Sequence, residues 1–390
     1  MTLLVLNLSF DLIVFGLPSL LLRLFNQFAF RNLMTHLINY TTPIVFSMPV
    51  CVSGVKIYID NLDYLRISKS DNSLILSNHS SRVDGMVALI MGFTTTSKLH
   101  TKPSVRTRVG IVAEGVLQFM PLIGWYRKLV CEDLFVMRSF KQDAKSISNN
   151  INKFHSSDTK RMLFVCPEGV VCDYGKRDQK YILECQSFAK KLHIQPFEYL
   201  LTPRYKGCVV LAEQVKHSGS IFSVTLGYWS EQRMLNVQLV SNERVIPDIY
   251  TLLAGIGGKP VEIFVNMIEL KFTKDDDVKT IMMEDYRRKD NLLKSWHNCK
   301  PDRNKFEEVH TDALRVAIIQ ITHAVLMLSL ASYFDRISLL VKICFGLFTV
   351  ITWGHTLGWI ITGTSMESLP FETGIKAINI AFFGAKHKEA

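Results

Sequence analysis

The 390-residue chain has no paired cysteines: its eight Cys, at 51, 131, 166, 172, 185, 208, 299 and 344, never fall into a Cys-x-x-Cys spacing. That scatter argues against a zinc site or a disulfide scaffold and favours reduced thiols facing a cytosol-like compartment. Charge is also thin. Asp, Glu, Lys and Arg make up 21% of the residues, a little under the roughly 25% of soluble chains, while 48% are apolar. A disordered chain and a collagen-like repeat are both excluded. There is no internal repeat and no nucleic-acid-binding motif, so the net charge of +10 suits an anionic membrane surface better than a nucleic acid. No Lys or Arg precedes the first apolar run, which speaks against a cleaved signal peptide.

What is present, and unevenly placed, is apolar length. Residues 316–334 carry no formal charge, Asp335 and Arg336 follow, and 343–366 are again uncharged, with Trp353 and Trp359 inside. Each run meets the ~20 residues that a spanning helix needs, and neither has the polar stripe of a soluble helix. They predict a transmembrane hairpin over 311–366. The N-terminal runs are interrupted, by Asp11 and Pro18 in 2–22 and by Asn39, Thr41, Thr42, Pro43 and Pro49 in 33–55. Charge at bilayer depth is costly, so 1–57 reads as a membrane-associated segment without a fixed number of spans.

Between these flanks, short apolar runs alternate with amphipathic stretches. Strands are predicted at 73–77, 109–112, 134–138, 162–166, 221–227 and 261–267, and helices at 141–154 and 179–191. Such alternation predicts an α/β layer architecture, a mixed sheet flanked by helices, over 58–310. The charged stretch 275–300 reads as a solvated helix.

One stretch carries chemistry. An apolar strand, Leu74-Ile75-Leu76-Ser77, runs into Asn78-His79, and Asp84 follows five positions later. On a continuous helix His79 and Asp84 would lie about 140° apart; they meet only if the chain turns between them. A His held by a carboxylate has a fixed tautomer and raised basicity, suited to deprotonating a hydroxyl. The spacing alone is weak, since His297 and Asp302 repeat it in an unpatterned region. Company strengthens the first copy. Downstream come a strand closing on Arg138, then Cys166-Pro167-Glu168-Gly169, then Leu201-Thr202-Pro203-Arg204. All sit at predicted strand ends, where α/β sheets bind ligands.

This ordered set resembles the glycerolipid acyltransferase family, whose blocks are an N-H-x4-D, an aromatic strand ending in Arg, an F-P-E-G-T and a late Pro block. The stretch from Glu198 to Gly207, and Lys141-Gln142-Asp143 after the second block, are similar to the branch with lysocardiolipin acyltransferases and larger 1-acylglycerol-3-phosphate acyltransferases. The resemblance covers about 73–300. It implies acyl-CoA as co-substrate and a lysophospholipid acceptor, lysophosphatidic acid foremost, with no cofactor, metal or covalent acyl-enzyme. His79 would be the general base and Asp84 its orienting partner. Asn78, Arg138, Glu168, Gly169 and Pro203 would bind substrate: Arg138 the acceptor phosphate, Glu168 and Gly169 the glycerol-phosphate end, Pro203 the acyl side. The third block departs from the pattern, with Val170 where Thr is usual and Val171 where some branches have Arg. A catalytically weak lipid-binding relative is the competing reading.

The final Lys386-His387-Lys388-Glu389-Ala390 resembles a K-x-K-x-x retrieval signal. With a cytosolic donor and an even number of spans after the catalytic domain, the expectation is a multi-pass protein of the endoplasmic reticulum. Its catalytic domain and its tail, 367–390, would both face the cytosol.

Overall fold

Runs such as Leu74-Ile75-Leu76 are apolar at every position because both faces of their strand are covered. Ile75 points into one core layer, with Val109, Phe164 and Phe222 of neighbouring strands and Val87 and Ile90 of a helix. Leu74 and Leu76 point the other way, among Leu163, Val165, Ile147, Leu211 and Met282. The period of two that normally marks a half-buried strand is therefore absent from the sequence. A computed structural model describes residues 53–64, 72–93, 107–119, 123–129, 131–137, 139–155, 160–171, 176–216, 219–272 and 277–309, with a few isolated residues in 22–33 and 317–325.

The strands are β1 (Lys56–Ile59), β2 (Ser73–Ser77), β3 (Thr107–Glu114), β4 (Leu134–Val136), β5 (Lys160–Val165), β6 (Ser220–Ser230), β7 (Arg233–Met234), β8 (Val261–Leu270) and β9 (Glu307–Glu308). They form one mixed sheet in the order β4-β3-β5-β2-β6-β8-β1-β9, with β7 paired to β6. From β4 to β6 all neighbours are parallel; β8 then runs antiparallel to β6. Helix α1 (Asp84–Phe93) covers one face. The other face carries α3 (Phe140–His155), α5 (Tyr205–Val215) and the start of α7 (Val278–Asn298). Helices α2 (Ile123–Leu129), α4 (Lys176–Lys191) and α6 (Ile249–Ala254) complete the described set.

The mixed sheet flanked by helices is as expected, and all six predicted strands and both predicted helices are there. Three differences are informative. β1 takes Lys56 and Ile57 into the sheet, two residues before the expected start at 58, directly after the uncharged run that ends at residue 55. β4 stops at Val136 rather than reaching Arg138. The charged helix α7 is not simply solvated: Asp285, Tyr286, Lys289, Asp290 and Leu293 are buried on the sheet side. The apolar stretches 2–22, 33–55 and 316–334 fall almost wholly outside the described residues, and 343–366 and the tail do so entirely. Among the described residues no helix is long and apolar enough to cross a membrane.

Candidate active site

The chain turns between His79 and Asp84 as the spacing requires, and a helix cap makes it turn. Ser81 Oγ accepts the Val83 amide at 3.0 Å, and Asp84 Oδ2 accepts the Ser81 amide at 3.0 Å. This reciprocal arrangement is a capping box, with Asp in place of the usual Glu. The same Oδ2 lies 2.8 Å from His79 Nδ1, so one carboxylate both starts α1 and holds the imidazole. Asp84 is fully buried; the His79 side chain is 25% exposed, which leaves the ring open to a ligand. With its proton on Nδ1, the ring presents Nε2 as the acceptor.

Strands β5 and β6 flank β2 and supply the walls. Glu168, just past the end of β5, accepts the His79 amide on Oε1 at 2.8 Å and the Leu201 amide on Oε2 at 3.2 Å. It thereby joins the first, third and fourth blocks. The Arg204 amide donates to Pro167 O at 2.8 Å, a second tie between the last two. Gly169 has φ +76°, a left-handed turn position that suits glycine, and its amide closes the turn onto Cys166 O at 3.0 Å. Pro203 is buried beside these ties. Val170 packs with Ile182, Cys185, Leu201 and Leu239 beneath α4, so the departure from Thr serves an apolar contact.

Asn78, expected among the substrate-binding residues, is instead a fully buried staple. Its side chain accepts from Leu226 N at 2.7 Å and donates to Leu226 O at 3.0 Å and Ser80 Oγ at 2.7 Å. It pairs with β6 as a backbone peptide would, because β6 runs on past the end of β2. No amide hydrogen remains for a ligand. Arg138 lies outside the described residues. The adjoining Met137 amide donates to Asp143 Oδ1 at 2.8 Å, which anchors the end of β4 to α3.

Helix α7 braces the site from below. Lys289 Nζ donates to Leu76 O at 2.8 Å and pairs with Asp285 at 3.1 Å, while Tyr286 OH donates to Ser77 O at 3.3 Å. One turn on, Asp290 accepts the amides of Glu198 and Tyr199. The helix thus fixes both the strand that presents His79 and the segment that carries Leu201. His297, the second H-x4-D copy, contacts Tyr199 OH at 2.8 Å through Nδ1 and plays a packing part there.

The electrostatics follow from burial. Burial alone lowers the basicity of His79, but the adjoining Cys166 thiol and Asp84 carboxylate outweigh it and lift the ring well above an ordinary imidazole. Burial pushes the Glu168 carboxyl up to about 7 against the His79 and Leu201 amides. It likewise raises the Cys166 thiol, opposed by His79. Tyr228, on β6, was invisible to sequence reasoning: its hydroxyl donates to Asp84 Oδ1 at 2.5 Å. Burial and the Asp84 charge hold this phenol well above its usual range, so it stays a donor. A basic, partly open imidazole backed by a carboxylate with three donors can take a proton and stabilise the resulting cation.

Residues 56–227 match the family described as Acyltransferase. Similar curated proteins include lysophosphatidylinositol acyltransferase 10 of Caenorhabditis elegans, 24% identical over 201 residues, 51% of this chain and 48% of that protein. Lysocardiolipin acyltransferase 1 of Mus musculus is 22% identical over 218 residues, 54% of this chain and 52% of that protein. The chain therefore spans about half the length of the curated relatives it matches. Among solved structures, the 1-acyl-sn-glycerophosphate acyltransferase PlsC from Thermotoga maritima aligns with a TM-score of 0.39 and 16% identity, over 75% of this chain and 96% of that one.

Proposed function

We propose that the protein transfers a fatty acyl group from acyl-CoA to the free hydroxyl of a lysophospholipid, a reading supported by the match of residues 56–227 to the acyltransferase family. The observation that carries this reading is the His79–Asp84 pair at 2.8 Å, at the carboxyl end of β2 between two parallel strands. His79 Nε2 takes the acceptor's hydroxyl proton as the oxygen attacks the thioester carbonyl. The tetrahedral intermediate collapses, the CoA thiolate leaves, and the imidazolium returns the proton to it. Asp84 balances the charge on the ring throughout. Glu168 acts by holding the His79 and Leu201 backbones, Gly169 by shaping the turn beside the acceptor's glycerol-phosphate end, and Pro203 by shaping the acyl side. Arg138 would supply the guanidinium for the acceptor phosphate.

Lysophosphatidic acid is the leading acceptor; the names of the relatives make lysophosphatidylinositol and monolysocardiolipin the alternatives to assay beside it. We place the enzyme in the endoplasmic reticulum membrane, with catalytic domain and tail facing the cytosol. The test is release of free CoA thiol from acyl-CoA, dependent on each acceptor, by purified wild type and His79→Ala. Acceptor-dependent release lost in the variant supports transfer. A wild type that binds lysolipid without releasing thiol would identify a lipid-binding relative instead.

A further inference from the structure

The Cys166 thiol is not used by the mechanism above, yet it sits against the general base. It is half-buried at the end of β5, points at Asn78 O at 3.7 Å, and shares its surroundings with His79 and Asp84. One donor atom from each of His79, Asp84 and Cys166 lies within 4.8 Å of the other two. The compactness of this triangle matters. In a nucleophile–imidazole–carboxylate relay, thiol and carboxylate stand at opposite ends of the ring, farther apart than that. Here thiol and carboxylate lie within 4.8 Å of each other, an arrangement poor for a covalent acyl-thiol and good for chelation.

From this geometry we propose that His79, Asp84 and Cys166 form a site for a thiophilic divalent cation of the zinc class, whose occupancy reversibly silences the enzyme. Thiolate, imidazole and carboxylate together are the donor set that zinc takes, with bonds of about 2.0–2.3 Å. Tetrahedral geometry then sets the donors about 3.5 Å apart. The 2.8 Å contact of His79 with Asp84 opens by some tenths of an ångström, and the thiol closes in. Binding expels the Cys166 thiol proton and the proton shared by His79 and Asp84. Hard cations such as Mg²⁺ gain little from a thiolate. The Cys spacing speaks against a sequence-local zinc site; this one exists only because β2 and β5 are neighbours. Binding itself is independent of the proposed reaction; only its inhibitory consequence rests on that reading.

The experiment is Co²⁺ titration of the purified full chain, read by thiolate-to-cobalt charge-transfer absorption, beside Zn²⁺ inhibition of CoA-thiol release. We expect one Co²⁺ per chain with the absorption band present, and Zn²⁺ inhibition reversed by a chelator. Cys166→Ser should lose the band and require at least tenfold more Zn²⁺ for the same fractional inhibition. Cys299→Ser, at an exposed thiol, should retain both. Should the Cys166 variant fold poorly, protection of Cys166 from alkylation by Zn²⁺ in wild type, read by mass spectrometry, gives the same answer. Absence of a band in wild type, a band that survives Cys166→Ser, or unprotected Cys166 at saturating Zn²⁺ would overturn the site. An inactive protein that still gives the Cys166-dependent band would sink the reaction and leave the site standing.

Discussion

Replacing Tyr228 by Phe deletes one oxygen and tests whether the third donor to Asp84 matters for catalysis. Asp84 is fully buried and accepts from Ser81 N, from His79 Nδ1 and, at 2.5 Å, from Tyr228 OH. Without the phenol, Oδ1 loses its donor in a place water does not reach. A hydrogen bond to a charged group contributes about 1.5–3 kcal/mol. The under-solvated carboxylate recovers by rotating, which draws Oδ2 off the imidazole. At 1.36 kcal/mol per decade, full expression in the imidazolium-bearing transition state lowers kcat by about 10-fold to about 150-fold. The Michaelis constants should hardly move, since Tyr228 is wholly buried. The assay is steady-state CoA-thiol release by Tyr228→Phe, alone and in a His79→Ala background. Once the imidazole is gone the phenol has nothing to position, so the residual rate of the double variant should equal that of His79→Ala. A Tyr228→Phe enzyme within twofold of wild type would refute the relay. An equal loss in both backgrounds would reduce Tyr228 to a packing residue.

Three further outcomes are expected. His79→Ala should lower transfer by the roughly 10²–10⁴-fold typical of a general base without altering the melting temperature, whereas His297→Ala should leave kcat alone and cost about 1 kcal/mol of stability through its Tyr199 contact; activity that follows His297 instead would reverse the assignment. Glu168→Gln keeps one acceptor for two buried amides, so about 1–3 kcal/mol of stability and most of kcat should go together; retention of both in denaturant and kinetic measurements would show that the backbone bracket is dispensable. Arg138→Lys loses the planar fork, so the Michaelis constant for the lysolipid should rise while that for acyl-CoA holds; a rise in both assigns Arg138 to the fold.

Much of this site could be read before any coordinates. The turn that joins His79 and Asp84 is legible because capping needs only local sequence, and Ser81-x-x-Asp84 is a further signal of it. Asn78 was misread. Its amide resembles a ligand-binding group in sequence, but β6 overshoots β2 and takes both of its polar ends. Glu168 was found but its partners were not, since both are backbone amides of other blocks. Helix α7 is marked by charge and reads as solvated, yet Lys289 points inward to the Leu76 carbonyl, Asp285 to Lys289 and the Ser223 hydroxyl, and Asp290 to the Glu198 and Tyr199 amides.

The sequence by itself determined the alternation of strands and helices, the mixed α/β class, and the turn that brings His79 to Asp84. Those are local properties: hydrophobic period, turn chemistry and short-range capping. Tertiary structure alone decided that Tyr228, 144 positions from Asp84, completes its hydrogen bonding, and that Cys166 meets His79 across adjoining strands. Strand order is set by which faces bury together over the whole sheet, and pairings between distant segments leave no periodic mark on either one.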